Sequence, residues 1–274
     1  MIPNILSIAG SDPSGGAGIQ ADVKAISANG GFAMAALTAL TAQNTQGVSG
    51  VHLVPADFVA DQITAVFADI RVDAIKIGMI ASAEIAEAVA KALEPHSAVP
   101  VVLDPVMVAK GGAKLLADDA VAALRDLLLP HATVLTPNLP EAAHLLGCAT
   151  ARTRDEMAAQ GRALCQLGAA AVLVKGGHLP GDSSPDVLVT RDDCDWFDGP
   201  RHDTRNTHGT GCTLSAALAA QLGHGLSVQD AVRSAKTYVA YAIAQADQLT
   251  VGHGHGPTHH FAGFDFHAEQ GGNY

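Results

Sequence analysis

At 274 residues with 48% hydrophobic side chains, the chain has ample material for a buried core, and 4% aromatics leave the packing to Ala, Val, Ile and Leu. A formal charge of −11 argues against nucleic acid as a partner, because that binding rests on Lys and Arg neutralising phosphates; a small anion needs only local positive potential and stays open. No apolar run reaches the length of a membrane span, no basic n-region precedes the first apolar run, and the four cysteines (Cys148, Cys165, Cys194, Cys212) form no close pair, so a soluble, cytoplasmic chain with reduced thiols is expected.

Short apolar runs alternate with helical patterns along the chain. Residues 5–9, 35–42, 74–77, 101–103, 133–135 and 171–174 read as strands, apolar on both faces as in a parallel sheet covered on both sides. Helical periodicity marks residues 17–28, 55–68, 82–93, 118–128, 140–146 and 153–168 between them. Residues 187–190 and 196–198 predict a hairpin around Arg191-Asp192-Asp193, and two further helices follow at 213–222 and 227–247. The alternation implies βαβ units and an open, mostly parallel sheet in one domain, with an irregular Gly/His-rich tail from Gly252. The tail histidines (His253, His255, His259, His260, His267) lack an i,i+4 register, and an ordinary loop accounts for them better than a metal site.

In such sheets ligands bind beyond the carboxyl ends of the strands, and the unusual residues fall there. After the first strand comes Gly10-Ser11-Asp12-Pro13-Ser14-Gly15-Gly16-Ala17-Gly18, with Asp22 inside the next helix suggesting a polar contact. It is neither a phosphate loop ending in Gly-Lys-Ser/Thr nor a dinucleotide fingerprint. Gln43 ends the second apolar run and offers a donor and an acceptor, suited to the edge of a heterocycle; a plain strand-end loop is the alternative. Lys76-Ile77-Gly78-Met79 and Asp104-Pro105-Val106-Met107 follow later strands. A buried charge at Asp104 asks for a cation, and Asp104 with Glu141 suits a hydrated Mg²⁺; Glu141 also reads as a helix-start acid. Lys175, leaving a strand beside two glycines, is placed to reach a phosphoryl group or simply solvent. Asn206-Thr207-His208-Gly209-Thr210-Gly211-Cys212 runs straight into a helix, a tight backbone turn at a positive dipole end that forms an anion cradle. Cys212 is either a nucleophilic or basic group beside that cradle or a small residue filling space.

In that order these motifs resemble the ribokinase-like superfamily, and more narrowly the hydroxymethylpyrimidine/phosphomethylpyrimidine kinases of thiamine biosynthesis, over about the whole chain. The resemblance implies a three-layer α/β sandwich with a mostly parallel central sheet and helices on both faces. It implies two ATP-dependent phosphorylations, of 4-amino-5-hydroxymethyl-2-methylpyrimidine to its monophosphate and then to the diphosphate. Carried onto this sequence, Gln43 bonds the aminopyrimidine, with Gly10, Asp22, Met79 and Val106 shaping its pocket. Asp104 and Glu141 organise Mg²⁺, Lys175 contacts the transferring phosphates, and Gly209, Thr210 and Gly211 hold the developing charge. Thr207 joins Lys175 in meeting ATP, with Lys236 as a weaker phosphate candidate. Sugar kinases of the superfamily carry an aspartate base where this chain has Cys212, which favours the pyrimidine and pyridoxal branch and leaves the base open. The family is usually homodimeric. A pyridoxal/pyridoxine kinase of the same fold is the nearest alternative, and a non-catalytic pyrimidine sensor is a more distant one.

Overall fold

The computed structural model describes residues 1–107 and 118–264; His267 of the tail lies outside them. The first half comprises β1 (Asn4–Ala9), α1 (Gly18–Ala28), β2 (Phe32–Leu37), β3 (Ala39–Asn44), β4 (Gly47–Leu53), α2 (Ala56–Asp69), β5 (Ala74–Ile77) and α3 (Ala83–Leu93). Then come β6 (Val101–Leu103), α4 (Asp118–Ala123), β7 (Val134–Leu135), α5 (Leu139–Leu146) and α6 (Arg154–Gln166). The last elements are β8 (Ala171–Lys175), β9 (Asp186–Thr190), β10 (Cys194–Phe197), α7 (Thr210–Gly223) and α8 (Val228–Ala244).

Eight strands form one sheet in the order β10-β9-β8-β7-β6-β5-β1-β2. From β2 to β8 every pair is parallel, and β9 and β10 add on as an antiparallel hairpin. Two apolar layers flank the sheet. Leu6, Ile8, Ile75, Ile77, Leu103, Leu135, Val172 and Val174 pack with α2, α3, α4, α5 and α6. Ile5, Ala74, Val102, Val134, Ala171 and Leu173 pack under α1, α7 and α8. Each strand sends alternate residues to the two layers, so the three-layer sandwich follows from strands that are apolar on both faces. Small residues on α7 (Ala216, Ala217, Ala219, Ala220), all fully buried, let that helix lie close against the sheet.

The structure corrects the reading of residues 35–42 as one strand. The run breaks after Leu37: β2 stays in the main sheet, while β3 leaves it to pair antiparallel with β4 in a separate two-stranded sheet. The whole of β4 is exposed or half-buried, so it lacks the apolar signal that marks the sheet strands. The second strand of the predicted 187–198 hairpin is likewise Cys194–Phe197, pairing Trp196 with Val187. Residues Leu124–Leu128, expected as the end of an α-helix, are wound as a π-helix.

Candidate active site

Strand parity positions the chemistry. Ser7, Lys76, Asp104, Thr136 and Lys175 each follow, two residues on, a residue of the α1/α7 layer (Ile5, Ala74, Val102, Val134, Leu173). Period-two alternation therefore turns all five polar side chains to that face, Ser7 within β1 and the other four near or just beyond the carboxyl ends of β5, β6, β7 and β8. There they meet the N-terminus of α7. A continuous cavity of about 980 Å³ opens at this point, lined among others by Gln43, Met79, Asp104, Lys175, Gly211 and Cys212.

The cavity's anion end is built from backbone. Unlike α5 and α6, whose first turns are closed by capping boxes, α7 starts at Gly209 with no side-chain cap. The Thr210 N–H reaches back to the Thr207 carbonyl at 3.4 Å, and the helix end formed by Gly209, Thr210, Gly211 and Cys212 lines the cavity. Gly209 has φ +76°, and a Cβ there would overlap the carbonyl oxygen of Gly16, so only glycine lets the two loops touch. A Cβ at Gly211 would stand 3.3 Å from Lys175 Nζ and 3.5 Å from Asp104 Oδ2, which places this turn directly over the charged cluster. The Thr210 hydroxyl donates to the Thr207 carbonyl at 2.8 Å and braces the loop, and both residues line the cavity.

In the charged cluster Lys175 Nζ donates to Asp104 Oδ1 at 2.9 Å and lies 4.0 Å from Glu141 Oε2. The Thr136 hydroxyl also donates to Asp104, at 3.2 Å, while the Ser215 hydroxyl, which donates to the Gly211 carbonyl at 3.0 Å, lies 3.4 Å from Oδ2. Burial opposes ionisation of Asp104, but Lys175 and Lys76 outweigh it and hold the carboxyl below its usual range. Burial pushes Glu141 up to about 7, with Asp104 adding to the rise and Lys175 opposing it. Glu141 also caps α5, accepting the Asn138 N–H on Oε2 at 2.7 Å while its own N–H donates to Asn138 Oδ1. Its helix-start role is thus real and does not remove it from the cavity. Two buried carboxylates sharing one lysine make an all-oxygen donor set too small for a protein cage. It suits Mg²⁺, which takes one or two carboxylates and completes its shell with water and phosphate oxygens.

Gly10, Thr41, Gln43, Met79 and Val106 also line the cavity. The Met79 carbonyl accepts from the buried Thr38 hydroxyl at 2.6 Å, which fixes that wall. Any side chain at Gly10 would run into Met79 Cε. Asp12 and His208 line it as well, joined by a 2.8 Å contact between Oδ2 and Nε2.

Two expected residues stand elsewhere. Asp22 is fully buried and is not among the residues lining the cavity; it receives Lys76 Nζ on both oxygens, at 2.9 and 2.8 Å, and the Ser7 hydroxyl at 2.6 Å. It shapes the site only by holding Lys76, because a carboxylate removed from water takes the nearest buried cation as partner. Lys236 likewise turns away, donating to the Ser184 carbonyl at 2.8 Å and to Asp186 Oδ2 at 2.6 Å. Asp186 Oδ1 in turn accepts the Gly176 N–H at 3.0 Å, so Lys236 braces the turn after Lys175 rather than meeting a phosphate.

Lys76, Asp12 and His208 escaped the sequence reading as individual site residues. The signal for Lys76 was present: a lysine inside Ala74-Ile75-Lys76-Ile77 cannot be buried without a partner. Burial opposes its charge, but Asp22, with Cys212 and Asp104 adding to it, lifts it above the ordinary lysine range. Burial pushes the Cys212 thiol up to about 11, against the pull of Lys76, so the resting residue is a neutral thiol despite its helix-end position.

The tail is irregular yet firmly tied. His255 N–H and Gly254 N–H donate to Thr45, and the His208 N–H donates to the Gly256 carbonyl. His260 is buried against the Thr213 hydroxyl, Nε2 to Oγ1 3.1 Å, and burial pushes its pKa down to about 4. The tail thus links the β3–β4 turn to the anion loop.

The phosphomethylpyrimidine kinase profile matches residues 12–259. The hydroxymethylpyrimidine/phosphomethylpyrimidine kinase of Escherichia coli strain K12 is 55% identical over 258 residues, covering 94% of this chain and 97% of that one. Among solved structures, an ADP complex of Bacillus subtilis pyridoxal kinase superposes with TM-score 0.88 at 37% identity, over 96% of this chain and 98% of the other. The phosphomethylpyrimidine kinase of Clostridium difficile 630 gives TM-score 0.78 at 41% identity, over 88% and 99%.

Proposed function

The chain belongs to the phosphomethylpyrimidine kinase family, and from that premise we propose that it phosphorylates 4-amino-5-hydroxymethyl-2-methylpyrimidine at the expense of ATP, then phosphorylates the resulting monophosphate, as a step of thiamine biosynthesis. One observation carries the reading. A single cavity is lined by Gln43, Met79 and Val106 together with the Lys175–Asp104–Glu141 cluster and the residues of the α7 N-terminus.

Phosphoryl transfer is mostly positioning and charge stabilisation, and the chain supplies both. Gln43 takes the heterocycle edge between Gly10, Met79 and Val106, aiming the hydroxymethyl oxygen at the anion turn. The N–H groups of the turn at Gly209, Thr210 and Gly211 stabilise charge growing on the transferred group. Lys175 contacts the transferring phosphates, and Thr207 lies on the nucleotide side. Asp104 and Glu141 would hold Mg²⁺, which neutralises charge on the phosphate oxygens when bound. Cys212 stands at the first turn of α7, where an acceptor hydroxyl would lose its proton.

The test is direct. The purified protein is mixed with Mg-ATP and either the hydroxymethylpyrimidine or its monophosphate, and ³¹P spectra identify the products. Conversion of both acceptors supports the reading; conversion of neither refutes it. The likeness to a pyridoxal kinase supports a second reading as a pyridoxine kinase. That reading prevails if pyridoxine is converted with the higher kcat/KM. We place the reaction in the cytoplasm and the working unit as a homodimer, in keeping with the family resemblance.

A further inference from the structure

Every second residue of Gly252-His253-Gly254-His255-Gly256-Pro257 is a glycine, and each is required by a neighbour. A Cβ at Gly252 would overlap the Thr45 side chain, one at Gly254 the Thr45 carbonyl oxygen, and one at Gly256 the Asn206 side-chain oxygen. Only Gly252, at φ +68°, also needs glycine for its backbone; at Gly254 and Gly256 the demand is for space alone. His253 and His255, between them, are exposed. The segment is thus pressed against two different loops. Thr45 begins the β3–β4 turn two residues after Gln43, and Asn206 stands three residues before Gly209.

Hydrogen bonds join the same two loops. Thr45 accepts the Gly254 N–H on Oγ1 at 3.1 Å and the His255 N–H on its carbonyl at 2.9 Å. The Gly256 carbonyl accepts the N–H of His208, the residue before Gly209, at 3.0 Å. Three consecutive residues therefore span from the hairpin that carries Gln43 to the turn that starts α7. Beyond Pro257 the chain is anchored. Thr258 and His260 are buried, the His259 N–H donates to the Ala242 carbonyl of α8, and His260 Nε2 lies 3.1 Å from Thr213 Oγ1 on α7. A displacement imposed at Gly254 or Gly256 is then passed to the two loops rather than absorbed by the tail.

We propose that Gly254–Gly256 is a positioning strap for phosphoryl transfer: it sets the reach between Gln43 on its hairpin and the turn at Gly209, so that a bound acceptor meets the transferred group. This rests on the assignment of Gln43 to the acceptor and of the Gly209 turn to phosphate. None of the three strap residues lines the cavity, so their effect on the reaction runs through Thr45 and His208. A shifted strap leaves each half of the site intact and changes only the separation between them. Chemistry feels that more than binding does, since a misplacement of about 1 Å can lower kcat by roughly 10²-fold.

Two variants and a rescue test this. Gly256→Ala should lower kcat by roughly 10²-fold on either pyrimidine acceptor, with the ATP and pyrimidine KM values within about threefold. Its obstacle is a side chain, and truncating Asn206 leaves that residue's Cβ 3.5 Å from the new methyl group, an ordinary contact. Gly256→Ala combined with Asn206→Ala should therefore return kcat to within about threefold of Asn206→Ala alone. At Gly254 the obstacle is the Thr45 carbonyl, so Gly254→Ala should lower kcat similarly and Thr45→Ala should restore none of it. A strap that served stability alone would lower Tm and leave kcat per folded molecule unchanged. Normal kcat in Gly256→Ala, or no recovery with Asn206→Ala, overturns the proposal. Amide exchange in the unliganded protein reads the link without any substrate. Gly254→Ala should speed exchange of the His208 amide by roughly tenfold or more while the amides of β5 and β6 keep their rates. Unchanged exchange at His208, or equal acceleration in β5 and β6, overturns the strap. If Gly254→Ala does not fold, Gly256→Ala and its rescue decide alone. Failure of the unsubstituted protein to phosphorylate either pyrimidine refutes the acceptor assignment instead, and the His208 amide still judges the strap.

Discussion

At Cys212 two effects oppose each other, since burial favours the neutral thiol while Lys76 favours the thiolate. Burial wins, and the thiol is pushed up to about 11. If Cys212 is the base for the first phosphorylation, its active fraction rises about tenfold per pH unit across the neutral range, because the working pH lies far below its pKa. The second acceptor needs no such help, as its phosphate oxygen is already charged above a pKa of about 6. Single-turnover rates should therefore climb with pH for the hydroxymethyl acceptor and stay flat for the monophosphate above neutrality. Cys212→Ser should slow the first step by roughly 10²-fold or more and the second far less. Parallel pH profiles for both steps would remove Cys212 from proton transfer. The Asp22–Lys76 pair makes a separate prediction, on stability. Both side chains are fully buried, so Asp22→Ala leaves an uncompensated ammonium and should cost about 3–5 kcal/mol in urea unfolding. The double variant Asp22→Leu with Lys76→Met should recover most of that. A single-variant loss under about 1 kcal/mol would show that water reaches the pair.

Among the elements, α7 matters most, since its first turn forms the anion site and its buried alanines fix its distance from the sheet. Gly209 is the joint. It combines a left-handed backbone with contact against Gly16, and both are lost with a side chain. Gly209→Ala should displace the turn relative to Lys175. A misplacement of about 1 Å lowers kcat by roughly 10²-fold, with far-ultraviolet circular dichroism unchanged. Near-normal kcat in this variant would mean that the α7 turn does not carry the transition-state charge. The β3–β4 hairpin acts differently: it carries Gln43 away from the main sheet to the cavity rim, and its turn is held to the tail through Thr45.

Seen whole, the molecule exposes several apolar side chains along the stretch from β2 to α2. Phe32 on edge strand β2, Leu40 on β3, Val51 and Leu53 on β4, and Phe58 on α2 are all exposed. An edge strand together with a hairpin carrying exposed apolar side chains favours association. Light scattering should return about twice the 27.9 kDa chain mass. Leu40→Lys with Val51→Glu should shift the population towards the single chain, and a single-chain mass for the unsubstituted protein would rule out the homodimer.

What the sequence by itself determined was whatever depends on short-range periodicity. Runs apolar on both faces, separated by helical patterns, gave the parallel sheet and its two helical layers. The rule that ligands bind beyond strand ends then located Met79, Asp104, Glu141 and Lys175 at one cavity, which Gln43 joins from the separate β3–β4 hairpin and Gly211 and Cys212 from the start of α7. Only the tertiary structure decided which partner each buried charge takes. Asp22 and Lys76 stand 54 positions apart, Lys236 and Asp186 50, and Asp12 and His208 196. It also decided that the 35–42 run divides between two sheets, since the half-exposed β4 that draws β3 away carries no periodic apolar signal. The physical reason is one of range. Backbone periodicity is set by neighbours within a few residues, whereas the pairing of a desolvated charge or an edge strand depends on what the completed fold brings alongside it.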